Sequence, residues 1–132
     1  MLTPHPTGSV LVVDDDAELR EGLCDVLVEE GYSVIGATDG ADALEHLSEF
    51  ALPDVVLLDL GMPRMDGYEF LERRAADDVL KEVPVIVISS QTDRLRMRFP
   101  VATTLTKPVD LMMLLGALRR EIVEQGPRND VG

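Results

Sequence analysis

The chain has 132 residues, with 25 acidic against 12 basic side chains and a formal net charge of -13. That length suits one domain, and a hydrophobic share of 45% is enough to build a core, which excludes disorder for most of the chain. The excess of acid excludes a surface for nucleic acid, which needs clustered Lys and Arg, and no apolar run approaches the ~20 residues that cross a bilayer.

In chain order, residues 1–8 read as a flexible leader, residues 9–124 as one domain and residues 125–132 as a flexible tail. The β-branched run Val10 to Val13 predicts a strand buried on both faces, ending at Asp14. From Ala17 to Glu30 the recurrence of Leu19, Leu23, Val26 and Leu27 predicts a helix, with Gly31 as its stop. Ser33 to Ala37 predicts a second strand and Ala41 to Phe50 a second helix. A third strand at Val55 to Leu58 precedes a Gly- and Pro-containing loop and a helix from Gly67 to about Ala76, with Asp66 and Glu69 as a capping box. Val85 to Ile88 forms a fourth strand after Pro84, and about Thr103 to Thr106 a weaker fifth. Asp110 caps a last helix with Leu111, Leu114, Leu115, Leu118 and Ile122 on one face and Met112 and Met113 packing at its edge. Strands alternating with helices imply right-handed crossovers and an α/β fold. The expected architecture is a flavodoxin-like, doubly wound, five-stranded parallel sheet of order 2-1-3-4-5.

Ligands of such sheets bind beyond the carboxyl ends of the strands, at the switch between strands one and three. The residues that fall there are Asp14, Asp15 and Asp16 after strand one, Asp59 after strand three, Ser89 and Ser90 after strand four, and Lys107 before Pro108 after strand five. Converging carboxylates repel one another and require a cation. Oxygen donors without cysteine or histidine suit magnesium better than zinc. A hard cation beside a carboxylate, a hydroxyl and an ammonium is equipment for phosphoryl transfer, with one aspartate as nucleophile.

The stretch Val10-Leu-Val-Val-Asp-Asp-Asp16, the segment Leu57-Leu-Asp-Leu-Gly-Met-Pro-Arg-Met-Asp-Gly67, Ser89 and the Lys107-Pro108 pair resemble the receiver domain of two-component response regulators. The resemblance covers residues 9 to 124 and implies particular roles. Asp59 would be the phosphoacceptor, with Ser89 and Lys107 completing the catalytic set. Asp14, Asp15 and Asp59, with the backbone carbonyl of Gly61, would hold Mg2+. Asp16 is expected to be a helix N-cap. The implied partners are a sensor histidine kinase or a histidine phosphotransfer protein and an unidentified downstream protein, with no nucleic acid and no membrane. Such a protein is not a conventional enzyme but catalyses its own phosphorylation and dephosphorylation. No output domain is expected.

Two departures from the family pattern stand out. Thr104 occupies the place of the usual aromatic reporter, and Ser89 and Lys107 lie roughly four residues closer than usual, about one helical turn. Any fourth helix, between the fourth and fifth strands, is therefore expected to be short or missing, with a rearranged readout face. The arginines Arg94, Arg96 and Arg98 fall in the same connection. Met1 to Gly8 lacks the pattern of a secretory signal and Cys24 is the single cysteine, so a cytoplasmic location is expected. His46 is expected on the exposed side of its helix. Two alternatives are a receiver-shaped interaction module that is never phosphorylated, and a small aspartate-nucleophile phosphohydrolase using Asp14-x-Asp16.

Overall fold

Five short strands lie side by side in one parallel sheet, in the order β2-β1-β3-β4-β5. They are β1 (Ser9–Val13), β2 (Ser33–Ala37), β3 (Val55–Asp59), β4 (Val85–Ser89) and β5 (Thr103–Thr106). The structure is a computed structural model describing residues 8–49, 51–60, 67–89 and 101–125. Among these residues four α-helices connect or follow the strands: α1 (Ala17–Glu29), α2 (Gly40–Glu49), α3 (Gly67–Ala75) and the C-terminal α4 (Leu111–Gln125). A 3-10 turn at Leu80–Glu82, not anticipated from periodicity, leads into β4. It is held by the buried Arg74, which donates from Nε and Nη2 to the Val83 carbonyl and from Nη2 to that of Lys81. The helix expected to be short or missing, the three arginines of that connection and Asp66 of the capping box lie outside the described residues, as do most of the leader and the tail.

The alternation of strand side chains explains the unbroken apolar runs. In β1, Leu11 and Val13 join a core with Val56, Leu58, Val85 and Val87, covered by Ala43 and Leu47 of α2 and Phe70 and Leu71 of α3. Val10 and Val12 point the other way, joining Val55, Leu57, Ile86 and Leu105 beneath Leu27 of α1 and Leu114, Leu118 and Ile122 of α4. Each fully buried leucine or phenylalanine is worth about 2 kcal/mol, so both faces need cover and both receive helices.

Four apolar assignments change. Leu19 is 57% exposed, and the sheet-facing stripe of α1 runs through Arg20, Leu23, Cys24 and Leu27 instead. Met112 and Met113 are 75% and 61% exposed, and Leu111 is also exposed. Asp110 Oδ1 accepts from the amides of Met112 and Met113, so the first turn of α4 begins at the rim before the helix reaches the core at Leu114. His46 is half-buried rather than exposed, with Nε2 3.7 Å from Asp42 Oδ1.

Helix α1 ends as its glycine predicts. Gly31 has φ 104°, a left-handed conformation that costs a side chain about 1–2 kcal/mol. Its amide donates to the Val28 carbonyl at 3.0 Å and that of Tyr32 to Leu27 at 3.1 Å, the paired bonds of a Schellman motif. Tyr32 and Leu27 are both buried in the same cluster, so the turn also aims the chain into β2. Gly31→Ala should lower stability by about 1 kcal/mol, read as a melting temperature several degrees lower. An unchanged melting temperature would remove the strain from this account.

Candidate functional site

The parallel register brings the carboxyl ends of β1, β3, β4 and β5 to one rim. Asp14 follows β1 directly, and its amide donates to the Ala37 carbonyl at the end of β2. Asp59 is the last residue of β3 and pairs in register with Ile88, one residue before Ser89. Ser89 pairs with Thr106, one residue before Lys107, and the Lys107 amide donates to the Ser89 carbonyl at 2.9 Å. Residues 48 positions apart thus meet: Lys107 Nζ lies 3.1 Å from Asp59 Oδ1.

One carboxylate oxygen from each of Asp14, Asp15 and Asp59 lies within 4.8 Å of the others. Asp14 and Asp59 are only 8% and 7% exposed, whereas Asp15 reaches solvent. At an effective dielectric of roughly 20, two charges that close repel by about 3 kcal/mol. Lys107 can offset one such charge, leaving the cluster short of positive charge. Burial, joined by the charges of Asp59 and Asp15, raises the Asp14 carboxyl above its ordinary value; the Asp16 amide and Lys107 pull the other way. The donor set is all hard oxygen, which fits magnesium: Asp14, Asp15 and Asp59 are the side chains that would hold it.

Ser89 is fully buried, and its Oγ has no hydrogen-bond partner among the described residues. A buried hydroxyl left so costs about 1–3 kcal/mol, and strand register puts Ser89 one residue beyond the partner of Asp59 and opposite Thr106, the residue before Lys107. Asp16 stands apart, its Oδ1 capping α1 by accepting from the Leu19 amide at 3.1 Å. The Asp14-x-Asp16 pairing of the phosphohydrolase alternative therefore does not form in this rim. Gly61 and Ser90 lie outside the described residues.

Gly67, the first residue of α3, sits against the same strand end. A Cβ there would fall 2.6 Å from Leu60 Cα, 2.7 Å from Leu60 Cδ2 and 3.0 Å from the Asp59 carbonyl oxygen. Only glycine lets α3 close on the segment that carries Asp59. Sequence reasoning missed Arg20, whose Nη1 donates to the Asp14 carbonyl at 2.8 Å. Its signal was available: an arginine three residues before Leu23 and seven before Leu27, on the stripe that must face the sheet.

This is a doubly wound α/β domain with an acidic rim, a buried hydroxyl and a lysine paired to an aspartate at the carboxyl ends of its strands, where such sheets bind ligands. The response regulator receiver domain model matches residues 10–119, and the chain belongs to that family, and with it to two-component signalling. Protein PilG of Pseudomonas aeruginosa is 33% identical over 117 residues, 86% of each chain. Response regulator RR06 of Streptococcus pneumoniae is 35% identical over 115 residues, and this chain spans about half of its length, 51%. The signal receiver domain of a signal transduction histidine kinase from Syntrophus aciditrophicus superposes with a TM-score of 0.83 at 28% identity, covering 89% of this chain and 91% of that one. Receiver domains of response regulators interact with histidine kinases. Among the described residues no helix is long and apolar enough to cross a membrane.

Two outcomes follow for stability. The folded protein holds the Asp14 proton more tightly than the unfolded chain, so the stability this contributes is full below the ordinary carboxyl value of 3.8 and is lost as pH rises through the higher folded value. Asp14→Asn keeps the acceptor for the Asp16 amide and removes the charge. It should melt higher than the wild type at pH 7 in chelator-treated buffer, the gap closing at acid pH; parallel pH profiles would contradict this. Gly67→Ala should cost about 1–3 kcal/mol in urea denaturation, because backbone must move to admit the methyl group.

Proposed function

We propose that this receiver is a phosphorylation-dependent switch whose acceptor is Asp59. The reading rests on the convergence of the Asp14, Asp15 and Asp59 carboxylates with Lys107 at the strand ends. An Asp59 oxygen attacks the phosphorus of a phosphohistidine on a histidine kinase or histidine phosphotransfer protein. The P–O bond forms as the P–N bond breaks, and the leaving imidazole keeps the electron pair and takes a proton from solvent. Lys107 is already within hydrogen-bond reach of Asp59 and is placed to pair with a phosphoryl oxygen, while the Ser89 hydroxyl donates to another. Asp14 and Asp15, with Asp59 and the Gly61 carbonyl, would hold magnesium. When bound, it supplies a hard positive charge that relieves repulsion between the carboxylates and the incoming phosphoryl group. Water later attacks the phosphorus, the P–O bond to Asp59 breaks, and inorganic phosphate leaves with the Asp59 carboxylate restored.

The output is a changed affinity for a downstream protein. Thr104 lies half-buried in β5, paired with Val87, so the readout proceeds without an aromatic side chain at that position.

Incubation with magnesium and a small phosphodonor, followed by intact-mass measurement, should add one phosphoryl group to the wild type and none to Asp59→Asn. With beryllofluoride, amide NMR signals around Asp59, Ser89 and Lys107 should shift in a magnesium-dependent way. Absence of both responses in the wild type would leave the reading of an interaction module that is never phosphorylated.

A further inference from the structure

The acidic rim needs two neighbouring carboxylates at a defined separation, yet both sit on the turn that leaves β1, where no strand pairing holds them. The backbone of Asp14 is nevertheless fixed on both sides. Its amide donates to the Ala37 carbonyl at 3.2 Å, and its carbonyl accepts from Arg20 Nη1 at 2.8 Å. That carbonyl belongs to the peptide plane joining Asp14 to Asp15, so the guanidinium sets the plane from which the second carboxylate departs. Arg20 reaches it from the sheet-facing side of α1 by laying its stem over Gly36 of β2. A Cβ at Gly36 would stand 3.1 Å from Arg20 Cδ, 3.3 Å from Cγ and 3.5 Å from Nε. Gly36 pairs with Val12 on β1, two residues before Asp14, which places the crossing directly behind the turn.

We infer that Arg20 and Gly36 act as one device: Arg20 is a positioning residue for the Asp14–Asp15 pair, and position 36 is glycine because the arginine stem crosses it. This rests on the metal-binding reading proposed above. The charge of Arg20 is directed at a carbonyl dipole, and among the described residues no salt bridge joins it to the carboxylates. An arginine seated on the carboxylates themselves would occupy the place of the cation. Held at the carbonyl, it orders the ligands and leaves their oxygens facing the rim. Groups that orient metal ligands without touching the metal typically change affinity by about 10–100-fold when removed.

The test uses the full chain labelled for amide NMR. In metal-free buffer, Arg20→Gln and Gly36→Val should each speed hydrogen exchange at the Asp15 and Asp16 amides, leaving Val12 in β1 unchanged. In magnesium titrations, each should weaken affinity about tenfold or more, and the double variant should be no weaker than either single one, because both remove the same contact. Gly36→Ala, which moves the stem less, should fall between wild type and Gly36→Val, and Arg20→Lys should restore part of the loss. Thermal melts check that the variants remain folded; if Gly36→Val does not, Gly36→Ala carries the comparison. Unchanged exchange and affinity in Arg20→Gln would overturn the proposal, and multiplicative losses in the double variant would overturn the link to Gly36. A wild type that binds no magnesium would instead sink the metal-binding reading, with the exchange data still deciding whether Arg20 holds the turn.

Discussion

Two aspartates kept almost wholly out of solvent, with a third beside them, set the terms for everything at the rim of this sheet. Carboxylates within 4.8 Å of one another are an unfavourable arrangement that the fold must hold in place by other means. The means are the side-by-side ends of β1 and β3, with Asp14 one residue beyond β1 and held by its amide on the Ala37 carbonyl, Asp59 last in β3, and the ammonium of Lys107 arriving from the far edge. The core on either side is what makes such an arrangement tolerable. With helices on both faces, the sheet has ample apolar burial to carry a few unfavourable charges at one end.

The same site shows backbone and side chain sharing the work. The acidic groups and the lysine come from strand ends, whose positions are stiff, while α3 and the Arg20 side chain of α1 reach this rim over glycines. Gly67 lets α3 press on the carbonyl of Asp59, and Gly36 lets Arg20 pass to that of Asp14. Both glycines serve the acidic residues by what they leave out.

Much of this was legible in the amino-acid order because the sheet is covered twice. Runs such as Val10 to Val13 and Val55 to Leu58 have no polar face to obscure them, so strand identity, order and the aspartates that follow could be read directly. The cap at Asp16 was readable for the same local reason. What escaped depends on partners distant in sequence. Leu19 looked like the start of an apolar stripe because it is apolar, but the geometry of α1 turns Arg20 to the sheet and Leu19 to solvent. Met112 and Met113 fit an amphipathic pattern, although that end of α4 projects past the core. The burial of Asp14 and Asp59 follows from which strands are neighbours, a fact no local window contains.

Ser89 has a consequence for how stability and activity are divided in this molecule. Its oxygen is sealed inside the protein without a partner among the described residues, so an alanine there would satisfy folding at least as well. Thermodynamic selection for a sturdier domain would erase the hydroxyl, and mutagenesis scored only on thermal tolerance should drift toward losing it. Under the phosphoryl-transfer function proposed above, enrichment in such a screen would run opposite to enrichment for phosphoryl uptake at this position, making residue 89 a place where the two pressures can be told apart.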